Sequence, residues 1–158
     1  QVRAASCRRE LALNDVLVKD AKPSRIVRLE VFANDKLVTE YTCDGLIFST
    51  PTGSTAYSLS AGGPLIAPGA GVFLITPICP HSLSQRALVL ADSCKVELSS
   101  EDRDCGPMLF TVDGRDSVRI GLGDHIEILK SRRSFHLLRL EGSSFYGALR
   151  QKLGWQGV

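Results

Sequence analysis

Much that would announce a function is missing from this 158-residue chain. No apolar run approaches the ~20 residues a membrane-crossing helix requires. The opening QVRAASCRRE is polar throughout, unlike a secretory leader, so no membrane partner is expected. Charge of one sign is also lacking: 19 Lys and Arg stand against 17 Asp and Glu, a formal net charge of +2. That balance offers no basic footprint for nucleic acid. The five cysteines, Cys7, Cys43, Cys79, Cys94 and Cys105, are odd in number and contain no CxxC pair. A zinc site or a redox dithiol is therefore not expected, and reduced, mostly buried thiols in a cytoplasmic protein are. Cys79 and His81 lie two apart in PICPHSLS, but two ligands do not make a metal site, and no metal is expected. Internal repeats, low-complexity tracts and obvious linkers are absent as well.

What is present fits a single domain over 1–158 with a substantial core, at 44% hydrophobic and 23% charged residues. Short β-branched and alternating runs dominate. LALNDVLVKD (11–20) alternates as a strand. RIVRLEVFA (25–33) and KLVTEYTC (36–43) read as a hairpin joined through Asn34-Asp35, although no glycine follows. GLIFST (45–50), GVFLIT (71–76), ALVL (87–90), CKVELSS (94–100), MLFTVDG (108–114), SVRIG (117–121), HIEILK (125–130) and FHLLRL (135–140) continue the series. Asp113-Gly114 and Gly123-Asp124 are among the turns between them. Only 54–61 and 144–153 favour helix. The second can be capped by Ser143 or Ser144 and ended by Gly154, with Phe145, Ala148, Leu149 and Leu153 forming a face that should dock on the core. The fold class expected is mainly β, a multi-stranded layered sheet or sandwich with a few short helices.

One stretch carries chemistry. DGLIFSTPTGSTAYSLSAGGP (44–64) sets glycines, hydroxyls and one aromatic after a buried strand, with no lysine or arginine. The nucleoside-triphosphate loop GxxxxGK[ST] and the dinucleotide fingerprint GxGxxG are both absent. A helix opening at Ser54 or Thr55 would present unpaired N–H groups. With the hydroxyls of Ser49, Thr52, Ser54 and Thr55 these make a neutral polar cradle. Such a cradle suits a sugar and a base better than clustered phosphates, and Tyr57 adds an aromatic face. Helix capping and packing alone would also explain hydroxyls at such a turn.

The whole string DGLIFSTPTGSTAYSLSAGGPLIAP closely resembles the signature of NAD kinases. The resemblance continues through ALNDVLV (12–18), ITPICPHSLSQRALVL (75–90), TVDG (111–114) and FYGALRQKLGW (145–155), nearly the whole chain in order. It implies phosphoryl transfer from ATP, with Mg2+, to the adenosine-ribose 2′-hydroxyl of NAD, giving NADP. It implies that Asn14 and Asp15 hydrogen-bond the adenosine part and ribose hydroxyls. The same two residues alone would read as a turn or bulge. It implies that Thr55, Ala56, Tyr57 and Ser60 form the nucleotide-binding turn. Asp44 is implied to reach the nicotinamide end, in several relatives across a subunit boundary, and Arg25 to lie near the ribose phosphate of NADP, where an isolated arginine is otherwise a solvated charge. Asp113 and Arg115, flanking Gly114, are implied as a second rim, though Asp-Gly alone is a hairpin turn. His81 reads as a structural hydrogen-bonder.

Two departures accompany the match. Ala87 stands where the family usually has proline after arginine. The family's GGDG motif, whose aspartate is the expected general base, is absent from the chain. With a start at Gln1, this creates the expectation of a C-terminal NAD-binding domain separated from an N-terminal α/β domain, inactive alone and homo-oligomeric. The alternatives are a non-catalytic nucleotide-sensing module, which an upstream GGDG would exclude, and a lipid kinase of the related superfamily, which would need an acyl channel.

Overall fold

The computed structural model describes residues 8–22, 25–100, 106–121, 124–138 and 141–155. Cys7, Cys105, Gly123, Arg139 and Leu140 lie outside the described residues. Among the described residues, ten strands run in the order β1 (Asp15–Asp20), β2 (Val27–Ala33), β3 (Lys36–Cys43), β4 (Gly45–Ser49), β5 (Val72–Ile78), β6 (Leu88–Ala91), β7 (Val96–Ser99), β8 (Met108–Val112), β9 (Val118–Ile120) and β10 (Ile126–Ile128). A 3₁₀ turn (Gly53–Thr55) and α1 (Tyr57–Ser60) follow β4, and α2 (Phe145–Leu153) follows β10.

The strands form two antiparallel sheets, ordered β6-β5-β4-β1-β8-β9 and β10-β7-β2-β3. Their facing residues make one core. Val16, Val18, Leu46, Phe48, Phe73, Ile75, Met108 and Val112 come from the larger sheet; Val27, Leu29, Val31, Tyr41, Cys43, Val96 and Leu98 come from the smaller. This is the layered, mainly β architecture expected of many short alternating strands. Burial also pushes the Cys43 thiol up to about 11, so it is an inert core group.

The β2–β3 hairpin shows why no glycine is needed. Asn34 and Asp35 take φ of +49° and +62°, and Ala33 faces Lys36 across a two-residue loop. Two consecutive positive φ values are the conformation whose twist matches the strands, and Asn and Asp tolerate it best after glycine.

The larger sheet is covered on its second face too. Ile47, Leu74 and Thr76 alternate with the core residues of β4 and β5, yet they are 0–1% exposed. The segment after β4 folds back over them. The hydroxyls of Ser58 and Thr76 lie 2.8 Å apart, pinning α1 to β5. Gly63 fits beneath this pair because it has no side chain: a Cβ there would lie 2.3 Å from Ser58 Oγ and 2.7 Å from Thr76 Oγ1.

Several boundaries differ from the sequence reading. Strand β1 starts at Asp15 rather than 11, because the preceding backbone is drawn onto a side chain described below. The expected helix over 54–61 is broken at Ala56, whose φ of −99° and ψ of −131° are not helical. No strand forms over 135–138, where Phe135, Leu137 and Leu138 are exposed. Helix α2 has its Ser144 cap, with Ser144 Oγ accepting from Gly147 N at 2.9 Å, and its left-handed Gly154. Its docking is slighter than expected: Leu149 is buried, but Ala148 is exposed and no α2 residue belongs to the core cluster.

Substituting Gly63→Ala should cost about 1–3 kcal/mol, because the packed hydroxyl pair must move. Gly71→Ala, whose Cβ would meet nothing closer than 3.7 Å, should unfold at a midpoint close to the parent's in a urea titration that shows the Gly63→Ala loss.

Candidate functional site

The site forms where β1, β4 and β8 meet at one end of the larger sheet. Asp113, just past β8, adopts φ +47°. This turns its carboxylate back over the chain, where Leu13, Asn14 and Asp15 donate their backbone N–H groups to it at 2.8, 2.7 and 3.1 Å. Asp113 N–H in turn donates to the Asp15 carbonyl at 2.9 Å. Arg115 completes the clamp: Nη2 donates to Leu11 O at 2.6 Å, Nε donates to Val112 O at 3.3 Å, and Nη2 lies 3.8 Å from the Asp113 carboxylate.

The glycine-rich segment docks on the other side of the same backbone. Thr50 N–H donates to Asn14 O at 2.9 Å, and Thr50 Oγ1 donates to Leu13 O at 2.7 Å while accepting from Gly53 N at 3.1 Å. Gly53 is pressed onto Asn14 so closely that a Cβ would lie 2.0 Å from the Asn14 carbonyl oxygen. Any side chain at 53 would push the loop off Asn14.

Electrostatics separate the two aspartates. Partial burial pushes the Asp113 carboxyl up, but the three backbone donors and Arg115 outweigh it, and its pKa falls below the ordinary value. Asp15 is 7% exposed, and burial first, then the Asp113 charge, raises its pKa. Its carboxylate makes no hydrogen bond among the described residues. The Asn14 carboxamide, half-buried, makes none either. A donor–acceptor amide and an acceptor carboxylate therefore stand side by side with their hydrogen-bonding capacity unspent.

The expected cradle is smaller than the sequence suggested. Ser54 is spent internally: its Oγ donates to Pro51 O at 2.7 Å and accepts from Ile66 N at 3.0 Å. Thr55 Oγ1 donates to Thr52 O at 3.1 Å, and Ala56 N–H is taken by Gly53 O. With four residues, α1 is too short to act as an anion-attracting terminus. Thr55, Tyr57 and Ser60 remain exposed and Ala56 is half-buried.

Two expected residues lie elsewhere. Asp44 precedes β4 and is five residues from Ser49, roughly 16 Å along a strand. It is exposed, with His81 Nε2 3.7 Å from its carboxylate. Arg25 sits at the Asp20 end of β1, its Nη1 3.0 Å from where a Cβ on Gly106 would be. Neither is brought to Asn14 and Asp15 within one chain. His81 is held by its backbone N–H to Thr42 O at 2.9 Å. Among the described residues no group of three or more His, Cys, Asp or Glu is placed to hold a metal ion. Thr50 was not singled out from the sequence, although Thr-Pro-Thr-Gly is a turn in which a threonine hydroxyl accepts from the N–H three residues on.

Residues 13–140 match a family model described as the ATP-NAD kinase C-terminal domain. The chain is 40% identical over 145 residues to an NAD kinase of Ruminiclostridium cellulolyticum, covering 92% of this chain and 51% of that protein. It is 40% identical over 158 residues to one of Gemmatimonas aurantiaca, covering 99% and 53%. The chain thus spans about half the length of the curated relatives it matches. Among solved structures it resembles yeast NADH kinase complexed with NADH, with TM-score 0.81, 28% identity, and 93% of this chain matched to 45% of that one. It also resembles an NAD kinase from Archaeoglobus fulgidus in complex with ATP, with TM-score 0.68, 31% identity, and coverage of 77% and 46%.

The two aspartates should respond oppositely to substitution. Asp113→Asn should cost about 1.5–3 kcal/mol at pH 7, the range for hydrogen bonds to a charged group. Because the native pKa is depressed, that advantage is present above the unfolded value of about 3.9 and disappears as pH falls through the native one. Asp15→Asn should instead raise the melting temperature at pH 7. A raised native pKa makes the ionised group a cost that vanishes as pH falls below it. Thermal melts of both variants from pH 3 to 8 check the signs.

Proposed function

The chain belongs to the ATP-NAD kinase C-terminal domain family, and from that membership we propose that it forms the dinucleotide-holding part of an enzyme that phosphorylates NAD to NADP. The observation that carries this reading is the juxtaposition at the end of β1. Asn14 and Asp15 have unspent amide and carboxylate groups, and the Gly53–Tyr57 turn is locked against their backbone by Thr50 and Gly53.

In this reading the Asn14 carboxamide and Asp15 carboxylate bind neighbouring hydroxyls of the adenosine ribose, as donor plus acceptor and as acceptor. Ala56 lets the base approach the backbone, and the exposed ring of Tyr57 packs on it. Thr55 and Ser60 offer hydroxyls at the rim. Asp113 and Arg115 act one layer behind, fixing the backbone that carries Asn14 and Asp15 instead of touching the nucleotide. This replaces the direct contact expected of them. Holding the 2′-hydroxyl in register with a second substrate can supply several kcal/mol, on the order of 7 in favourable cases, and phosphoryl transfer depends mainly on such positioning.

ATP, its Mg2+ and the general base we assign to the remainder of the family's polypeptide, the GGDG-bearing domain. The residues described here do not form a metal cluster, and no step through the metal is derived from them. The reading includes a homo-oligomer: Asp44, with Arg25 at the same end of the sheet, would serve the nucleotide of a second copy.

Calorimetric titration of NAD, and then NADP, into the folded chain should give saturable binding. Asn14→Ala and Tyr57→Ala should each weaken it about tenfold, the loss of roughly one hydrogen bond or one stacking contact. A folded chain that binds neither nucleotide would refute the proposal that this half carries the site.

A further inference from the structure

The proposed dinucleotide reading assigns no role to Ser49, yet its position is unusual. Ser49 is the last residue of β4, 3% exposed, and its Oγ is fully buried with no hydrogen-bond partner. It lies directly opposite Asp15 in the β1–β4 register. Thr50 N–H donates to Asn14 O just beyond the pair, which makes Asp15 and Ser49 a non-hydrogen-bonded pair, the type in which side chains approach most closely. Both side chains point to the face of the sheet away from the core, since Val16 and Phe48 beside them point inward.

The other neighbours of Ser49 on that face are Ile47 along the strand and Leu74 across β5. Both are apolar, and both are 0% exposed. Among these sheet neighbours the Asp15 carboxylate alone can accept the Ser49 hydroxyl. A buried O–H without a partner costs free energy, and a buried carboxylate without one costs more. The chain holds the two face to face.

We propose that Ser49 is the positioning residue of the site: by a change of rotamer about Cα–Cβ its hydroxyl donates to the ionised Asp15 carboxylate and fixes the orientation in which that carboxylate receives a ribose hydroxyl. Serine suits the task because a short hydroxyl side chain can span the cross-strand spacing of a directly opposite pair. This role rests on the dinucleotide reading for its ligand, but not for the Ser49–Asp15 bond itself. The charged group acting on Asp15 is Asp113, on the turn after β8, and Arg115 on the same turn lies 3.8 Å from the Asp113 carboxylate.

The test has a ligand-free arm and a ligand arm, both on the full chain. The Asp15 carboxyl is titrated by carbon-13 NMR in the parent, Ser49→Ala and Ser49→Thr proteins. Loss of a donor to the charged form should raise the Asp15 pKa in Ser49→Ala by about 0.7 unit, and threonine should restore it. An unchanged Asp15 titration overturns the proposal whether or not NAD binds. In the ligand arm, Ser49→Ala should weaken NAD binding about three- to tenfold in the Asp15 background and not at all when Asp15 is already Asn. Equal loss in both backgrounds overturns it. The melting temperature of Ser49→Ala should fall at pH 7, where Asp15 is ionised, and match the parent's below the Asp15 titration, because the lost bond is made only to the charged form; an equal fall at both pH values makes Ser49 a packing residue and overturns the proposal. A parent chain that does not bind NAD refutes the dinucleotide reading and leaves the titration to decide the Ser49–Asp15 bond.

Discussion

Three backbone N–H groups converging on the Asp113 carboxylate are the interaction on which the site depends. Residues 13 and 14 precede β1, and the carboxylate takes their N–H groups together with that of Asp15, the first residue of the strand. Because the acceptor is charged, each bond is stronger than its neutral counterpart. Because the carboxylate is partly buried, removing it would strand three donors together. The backbone so held serves as the template for the loop on its other side, through Thr50 and through the contact that excludes a side chain at Gly53. Asn14 and Asp15 sit between these two anchors.

The division of labour between the aspartates follows from this arrangement. Asp113 is saturated with donors and stays ionised as a structural anion. Asp15 is buried and close to the Asp113 charge, and both raise its pKa, with the Ser49 hydroxyl the one donor its strand neighbours can offer. A strained polar group kept in a packed sheet is best understood as one awaiting a ligand. The dinucleotide reading supplies that ligand, with hydroxyls able to donate to the carboxylate. About half of each related polypeptide lies outside the length matched by this chain.

Most of the architecture was legible in the sequence because the strands obey local rules. Alternation in 27–33 and 108–112 places the core residues, and Asn34-Asp35 makes its turn because both residues tolerate positive φ. Where reading failed, a long-range contact had won. The strand expected from 11 starts at Asp15 because the preceding N–H groups answer to a residue a hundred positions away. The helix expected over 54–61 is broken at Ala56, and its segment wraps the sheet instead, as the Ser58–Thr76 contact demands. FHLLRL has a strand's composition but no partner strand over its described part. At the site, the types of Asn14, Asp15 and Tyr57 were readable from the resemblance. The contacts of Thr50 and Asp113 were not, since a hydroxyl or a turn aspartate reveals its partner only once the strands have paired.

Amide hydrogen exchange with and without NAD tests the central claim most directly, because it reads the clamp and the loop together. The account predicts slow exchange at Leu13, Asn14 and Asp15 in the free chain. Added NAD should bring further protection confined to 13–15 and the 50–57 turn, with no change in the β2–β3 hairpin. Rapid exchange at 13–15 in a chain whose core amides are protected would contradict the clamp. Protection by NAD appearing elsewhere would contradict the placement of the site.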